Sequence, residues 1–482
     1  MTDTSHEVTY MHIQIKNTRV ITLMIALALF NFIFLATEYL FDNMMALVTS
    51  PSDVIAAQGY ILGTSVIGFV VYPLLSVKIP ESVHSIAVFA GALAEIICMF
   101  VIWQRASYTL ILSAGCLAYV LIGIAGSALN YRLSRVAQRD SLGKTVAVSY
   151  ALGILFQYLN THLIQNSMAE SIILAVSSAV VAVLMLKAEH EQMEAAEDTV
   201  SLKKIENPHL AGMALIVVVM LMTCIFSTLD AAVTLVHVSG NGDVGNWPRL
   251  LLALSALLAG VLYDAWHQKY MNLIMYAVTL LSTLCIVVME NGESFYAGLI
   301  VFYLSAGFFV VYFTSSFIKL SYETNLPQLW AGLGRAVNNV CAFIMSSVSI
   351  KLLQSDNPVL RNGVVLVLFV LISVAFYFYV SFVKTPEEKK EDTAKETSIS
   401  EEERMQQFAK AFSLTHRETE VLQVLLVSDE NVQKIAEQLL ISRAALYRHI
   451  TSINEKTNTK SRIGLVQFYY RFEAGGTHEK DF

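Results

Sequence analysis

Charged residues are scarce in this sequence. Only 15% of its 482 residues are Asp, Glu, Lys or Arg, whereas a soluble protein carries about a quarter. This deficit excludes an ordinary soluble chain, and the mean hydropathy of +0.56 indicates a membrane protein. The shortage is uneven, because residues 20–384 hold long apolar runs and the chain turns abruptly polar after Lys384.

Patterns that form metal sites, disulfides or catalytic centres are also lacking. The five cysteines lie inside apolar segments and form no CxxC pair, so they are expected to be small buried apolar side chains. No nucleophile–base pair, metal-spaced His/Cys cluster or phosphate-binding glycine loop stands out. We therefore expect no enzyme, no cofactor and no metal, and the polar first residues predict no cleavable secretory signal.

Twelve apolar runs have the length of about 20 residues that a helix needs to cross a bilayer. A charged stretch at 187–208 separates them into two groups of six. The runs lie near 20–40, 54–76, 84–103, 107–130, 145–165, 170–187, 209–238, 248–266, 270–289, 294–319, 329–353 and 362–384. The sequence predicts an all-α, polytopic 12-helix membrane domain (6+6) over 20–384, preceded by a segment at 1–19.

Basic residues mark alternate loops. One set of loops holds Lys16, Arg19, Arg132, Arg135, Arg139, Lys144, Lys187, Lys203, Lys204, Lys269 and Lys384. The opposite loops hold only Arg105, Arg249, Lys351 and Arg361. Because positive loops stay inside, we expect a multi-pass protein of the cytoplasmic (inner) membrane with both termini in the cytoplasm.

Short segments repeat between the two groups of six. "LGKTV" (142–146) matches "LGRAV" (333–337), and "GFVVY" (68–72) matches "GVLYD" (260–264), at nearly the same offset. The 6+6 layout with a charged central loop resembles the major facilitator superfamily, whose Gly-x-x-x-Asp loop motif with following basic residues is similar to Gly260, Asp264 and Lys269. The resemblance implies a transporter fold with a site between its halves. The first half departs from the motif at Tyr72, which argues against active transport.

Polar side chains inside spans are costly and are treated as functional candidates. We expect a pocket open to the outside between the first, fifth, seventh and tenth spans. Its candidate ligand-binding residues are Asn31, Glu38, Gln157, His162, Asp230 and Tyr303. Structural hydrogen bonds between helices are the alternative for each of them. Lys144 and Arg335 occupy matching positions in the repeat, and we expect a gating or snorkelling role for them.

The polar end of the chain contains amphipathic helices. Residues 385–403 are rich in Glu and Lys and are expected to be a linker. Helices are predicted over 414–427, 432–440, 441–456 and 462–472, the first with a capping box formed by Thr415 and Glu418. The middle pair, joined by a short turn, predicts a helix-turn-helix.

The last part of the chain, "LTHRETEVL…IAEQLLISRAALYRHITSINEKTNTKSRIGLV", resembles the LuxR-type helix-turn-helix domain. It departs at Asp429, where the family has glycine, and at Ala445–His449 in the recognition helix, so no operator sequence follows. The resemblance implies a small four-helix domain over 404–473 that binds double-stranded DNA as a homodimer through its last helix, followed by a tail at 474–482. Five apolar residues of that helix are expected to be exposed for pairing: Ile463, Leu465, Val466, Phe468 and Tyr469.

The basic residues of this region favour contact with DNA rather than a solvated face. The candidate DNA-binding residues are Ser442, Arg443, Tyr447, Arg448, Thr451, Lys456, Lys460 and Arg462. The sequence thus predicts a one-component transcriptional regulator in which the lipid-embedded part senses an unidentified small molecule. The alternatives are a secondary transporter with a regulatory DNA-binding tail and a domain held by a passive membrane anchor.

Overall fold

The chain divides into two compact units, Met1–Thr385 and Pro386–Phe482. The computed structural model describes residues 3–164, 166–190, 207–238, 247–265, 270–289, 295–353, 357–383, 401–428 and 430–472. The predicted linker up to residue 400, the tail 474–482, most of the central loop, Lys269 and Lys384 lie outside the described residues.

Over the ranges just given, the first unit contains twelve long helices. They are α1 Asp3–Ala46, α2 Pro51–Lys78, α3 Glu81–Gln104, α4 Tyr108–Val136, α5 Leu142–Leu163, α6 Ser167–His190, α7 Pro208–Val238, α8 Arg249–Asp264, α9 Met271–Met289, α10 Phe295–Ser321, α11 Pro327–Leu353 and α12 Pro358–Val383. Each predicted run falls on one of these helices. Helix α1 begins at Asp3 and continues without a break from the predicted N-terminal segment into the first apolar run.

Nine helices of the described part are long and apolar enough to cross a membrane. The helices α8, α9 and α11 are not among them, and α8 has only 16 residues. The apolar composition supports a membrane protein, and the count of twelve crossing helices stays a prediction.

Short polar turns connect the first helices. Ser50 accepts a hydrogen bond from the N–H of Asp53 at 3.4 Å and Pro51 occupies the first position of α2, which together begin the helix. Such turns make successive helices antiparallel, so the α1–α2 turn lies at one end of the bundle. The α2–α3 and α4–α5 turns lie at the other. These are called the α1–α2 end and the α2–α3 end below.

Two clusters of buried apolar side chains form the interior of the first unit. The first cluster comes mainly from α1–α4 and α6, and the second mainly from α7–α12 together with part of α5. Between the two groups of six, α2 packs against α11 and α5 packs against α8. Gly260 permits the second contact, because a Cβ there would lie 2.3 Å from the Cβ of Ala147.

In the second unit, the described residues form five helices: α13 Glu401–Ala411, α14 His416–Val427, α15 Val432–Gln438, α16 Arg443–Thr457 and α17 Arg462–Arg471. The last four are those predicted from the sequence. The additional helix α13 occupies residues 401–403 of the predicted linker. It belongs to the unit because Met405 and Phe408 are buried in its core with Leu422, Leu446 and other apolar side chains.

Candidate functional site

The helix-turn-helix of the second unit is formed by α15 and α16. Asn431 begins α15 by accepting the N–H of Lys434 at 3.1 Å. Leu440 adopts a left-handed conformation with φ 54° in the turn, and Ser442 begins α16 by accepting the N–H of Ala445 at 3.2 Å. Because a cap fixes the first residue of a helix, the caps of α15 and α16 set where the turn ends and in which direction α16 begins.

One face of α16 is buried and the opposite face is exposed. Leu446, Ile450 and Ile453 lie in the core of the unit. The exposed face carries four of the predicted DNA-binding residues: Arg443, Tyr447, Arg448 and Thr451. The Tyr447 side chain is 49% exposed, and Lys460 is exposed in the turn after α16. The arrangement presents two guanidinium groups, a phenol and a hydroxyl within about two helical turns.

Two of the predicted DNA-binding residues make contacts inside the domain. The Lys456 ammonium donates to Glu418 Oε2 at 2.6 Å and to the Ser413 carbonyl at 3.0 Å. The Arg462 guanidinium donates to the carbonyls of Glu430, at 3.1 Å, and Ser428. Both side chains therefore join neighbouring segments of the unit. These contacts could not be predicted from the sequence, because the partners lie more than 30 residues away.

Glu418 is the centre of a hydrogen-bond network between α14 and α16. It completes the predicted capping box with Thr415 and also accepts the Ser452 hydroxyl at 2.6 Å. Burial of the Glu418 carboxyl acts to raise its pKa, but the hydrogen bonds from Lys456, Ser452 and Thr415 outweigh burial and lower the pKa to about 2. The Glu418 carboxylate therefore stays ionised, and its hydrogen bonds to Ser452 and Lys456 hold α16 against α14.

The last helix, α17, is less exposed than the sequence predicts. Leu465 is 0% exposed and Tyr469 is 2% exposed. The unpredicted helix α13 covers this side, since the Phe408 ring lies 5.1 Å from the ring of Tyr469 and 6.1 Å from that of Phe468. Ile463 remains 71% exposed. The expectation that Leu465 and Tyr469 are available for pairing is therefore wrong.

In the first unit, charged side chains from four helices interact with one another. Glu38 on α1 accepts the Gln58 amide N–H at 2.8 Å and interacts electrostatically with Arg249 on α8 and Arg335 on α11. Asp230 on α7 interacts with Glu38 and Arg249. These helices come from both groups of six, so the cluster lies between the halves.

Arg335 lies at the junction of the two halves. Its guanidinium carbon is 4.9 Å from the centre of the Phe34 ring on α1 and 5.4 Å from that of Phe313 on α10. Cation–π contacts on both sides keep the charge inside the bundle. Its repeat partner Lys144 is exposed at the start of α5, so the two predicted gating residues have different surroundings.

The other predicted ligand-binding residues have varied environments. Asn31 donates to the carbonyl of Leu27 at 2.9 Å, and Gln157 donates to the Thr161 hydroxyl at 3.2 Å. His162 is exposed and its ring lies 4.0 Å from that of Tyr158. Tyr303 is buried in the second apolar cluster.

Sequence reasoning missed two members of the charged cluster. Arg249 was counted as a loop charge although it begins α8, and Asp42 lies one turn after Glu38 on α1. Asp42 interacts electrostatically with Glu38 and Asp230. The buried atoms Asp42 Oδ1 and Arg249 Nε have no hydrogen-bond partner among the described residues. Over the same ranges, no group of His, Cys, Asp and Glu is arranged to hold a metal ion.

At the α2–α3 end, Asp264 joins the two halves. Its carboxylate accepts the N–H of Gly143 at 2.7 Å and that of Lys144 at 2.8 Å. The first N–H groups of a helix have no partner within it and carry a partial positive charge, so a carboxylate there is stabilised. Arg139 adds a second contact, its guanidinium carbon lying 4.4 Å from the centre of the Tyr322 ring. The two halves are therefore in direct polar and cation–π contact at this end of the bundle.

Residues 412–469 match the family model described as GerE, bacterial regulatory proteins of the luxR family. The chain thus carries a LuxR-type helix-turn-helix domain, a class that binds DNA and regulates transcription. None of the curated proteins compared with the chain matches it in sequence.

The first unit is similar in fold to solved transporters. The human organic anion transporter MFSD10 (TETRAN) has a TM-score of 0.52 at 12% identity, covering 76% of this chain and 99% of that one. A bacterial homologue of the iron transporter ferroportin, in an outward-facing state, has a TM-score of 0.53 at 12% identity with the same coverage. At 12% sequence identity, the similarity shows a common fold and does not extend to the transported substrates. The chain therefore joins a LuxR-type DNA-binding domain to a unit whose fold is like that of these transporters.

Proposed function

We propose that this chain is a membrane-embedded one-component transcriptional regulator. In it, the transporter-like unit senses a small molecule and the LuxR-type domain acts on DNA. The proposal rests on the observation that both parts belong to one polypeptide. Attaching a DNA-binding domain to a membrane unit is useful only if the membrane unit supplies a signal. We place both termini on the cytoplasmic side of the inner membrane, as the distribution of basic loops suggests.

The groove-facing contacts are assigned to the exposed face of α16. Arg443 and Arg448 are suited to hydrogen bonds with guanine, and Tyr447 and Thr451 to contacts with neighbouring bases and thymine methyl groups. Ser442 and Lys460 flank this face and are assigned to the phosphate backbone. Lys456 and Arg462, which hold α16 and the following turn in position, act on DNA affinity through the shape of the domain.

The small molecule is assigned to the charged cluster between the halves. Glu38, Asp230 and Arg335 lie on helices from both groups of six. The buried Asp42 Oδ1 and Arg249 Nε also lack protein partners within the described residues. A ligand that supplies such partners binds one packing of the halves better than another, which is what a signal requires. Asn31 on α1 and Gln157 on α5 are assigned to the same site.

Signal transfer is proposed to act on pairing of the DNA-binding units. A single helix-turn-helix reads one half-site, so specific binding needs two copies. The exposed Ile463 and Tyr470 of α17, 71% and 52% exposed, are the side chains assigned to this contact. Lys384 and the linker connect the two units covalently. A rearrangement of the halves would therefore be transmitted to the DNA-binding unit through them.

The test is the set of DNA sites occupied by the tagged full-length protein in cells, determined by cross-linking and sequencing. We expect discrete sites with two related half-sites, which Arg448→Ala removes at an unchanged protein level. The matched control is Arg404→Ala on α13, outside the helix-turn-helix, which should leave the sites unchanged. Occupancy unrelated to sequence, or equal effects of the two substitutions, would refute DNA recognition by this face.

A transporter with a regulatory tail is the second candidate, and the Asp264 contact with the start of α5 favours it. That contact joins the two halves at one end of the bundle, and alternating access requires contacts of this kind to form and break. Uptake of a solute by vesicles containing a chain truncated after Thr385 would support transport. A sensor instead changes transcription without accumulating the solute.

A further inference from the structure

A cavity lies within the first group of six helices, apart from the charged cluster. It has a volume of about 170 Å³ and lies between α2, α3, α4 and α6. The space exists because α3 packs against α4 and α6, whereas α2 packs against α4 and α11. Most of its lining is apolar, including Leu75, Val88, Ile124 and Val181.

One face of α3 forms the long side of the cavity. His84, Val88, Gly91 and Glu95 follow the spacing of three to four residues that places side chains on one face of a helix. Gly91 leaves the middle open, because a Cβ there would meet no atom within 4 Å. The cavity therefore runs along α3 and ends at Glu95.

Glu95 is a buried carboxyl group with a single polar contact in the cavity wall. It is 7% exposed and accepts the Ser178 hydroxyl at 2.9 Å. No ion pair to Glu95 occurs among the residues that the structure describes. Burying an isolated carboxylate is costly, so the group is either neutral or paired with a cation that enters the cavity.

The shape of the cavity and the polar groups in its lining determine which class of ligand it can bind. A metal ion needs several oxygen ligands close together. Beside the Glu95 carboxylate the lining offers the Ser178 hydroxyl, and its other polar side chains, Tyr72, Ser76 and His84, lie at the α2–α3 end. A small anion would be repelled by Glu95, and the apolar lining gives water few partners. We propose that this cavity binds a primary ammonium group attached to a compact apolar body, with the ammonium at Glu95.

The depth of Glu95 favours a free amine over the amine of a lipid headgroup. Glu95 lies 14 residues after the start of α3 at Glu81, which is about 21 Å along the helix axis. A headgroup would have to leave the membrane surface to reach it. The volume is close to that of the ~150 Å³ cavity that holds benzene in another protein, so a single ring with an aminomethyl group fits.

The experiment measures equilibrium binding of benzylamine and of its neutral analogue benzyl alcohol to the purified full chain in detergent, with protein-free micelles subtracted. We expect the amine to bind at least about tenfold more tightly than the alcohol, a difference of ~1.4 kcal/mol, because only the ammonium gives the Glu95 carboxylate a cation and a charge-assisted hydrogen bond. Glu95→Gln, which keeps the size and the Ser178 contact, should lower amine affinity at least about tenfold and leave the alcohol unchanged.

The matched control is Glu170→Gln, which neutralises another buried carboxyl, one that accepts the Asn160 amide at 3.0 Å. It should change neither affinity. Gly91→Leu fills the cavity and should abolish binding of both probes. This variant tests whether the probes bind in this cavity even if Glu95→Gln does not fold.

Equal affinities for amine and alcohol would overturn the proposal. So would amine binding that survives Glu95→Gln or Gly91→Leu. Because binding is read directly, the result is independent of whether the chain regulates transcription. Vesicles rich in phosphatidylethanolamine form a further arm, and competition with benzylamine there would identify a lipid source for the amine.

Discussion

Neutralising Glu418 should weaken the DNA-binding unit in a pH-dependent way. Its pKa falls from the ordinary 4.5 to about 2 on folding. Since one pKa unit corresponds to ~1.4 kcal/mol, the shift sets an upper bound of about 3 kcal/mol. The partner Lys456 side chain is 31% exposed, so solvent screening reduces this contribution to roughly 1–2 kcal/mol. A group with a lowered pKa contributes stability above pH 4.5 that is lost as pH falls towards 2.

Urea unfolding of the fragment Pro386–Phe482 at a series of pH values provides the measurement. At pH 7, Glu418→Gln should lower the free energy of unfolding by roughly 1–2 kcal/mol. The difference between wild type and variant should disappear as the pH falls from 5 to 2. Glu420→Gln is the control, because that surface carboxylate pairs with Arg417 and His416 on its own helix and should contribute under about 0.5 kcal/mol. A difference that stays constant across this pH range would refute the assigned role of Glu418.

Three further outcomes are expected. Arg448→Ala should relax discrimination at one base position at a cost of about 1–3 kcal/mol, measured over a sequence library, with an unchanged profile counting against the assigned helix face. Phe408→Ala should destabilise the same fragment by about 3–5 kcal/mol in urea, because the ring is 0% exposed in the core, and a cost near zero would place α13 outside the unit. Asp264→Asn, which leaves one oxygen for two N–H donors, should increase labelling of a cysteine introduced at the buried Thr145 severalfold, whereas Asp140→Asn should not.

The positions of the helices could be predicted because hydropathy and caps are local properties of the sequence. The helix α13 was missed for the opposite reason. Its segment, "EEERMQQFAKA" (401–411), has few apolar residues, and it is held by rings of α17 more than 50 positions away. Only the fold brings Phe408 to Phe468 and Tyr469.

For the candidate sites, the sequence predicted which side chains of α16 are exposed but not which of them make contacts inside the domain. The helix-turn-helix pattern located the exposed residues of α16, since the turn and the apolar spacing fix which face is buried. Lys456 looked equally available because sequence gives no sign that Glu418 lies beside it. In the first unit, Glu38 and Asp230 stood out as polar residues in apolar runs, whereas Arg249 begins a helix and was hidden among loop charges.

The packing of α13 determines where the DNA-binding unit can be separated from this chain and fused to another protein. The family match begins at residue 412, so a chimera built from that boundary would leave behind Met405 and Phe408 and open the aromatic core of the transplanted module. A fusion that begins at Glu401 carries the whole core with it. The interchangeable part of this protein is thus longer than its family signature, and transplants that ignore the difference would yield an insoluble or poorly folded output module.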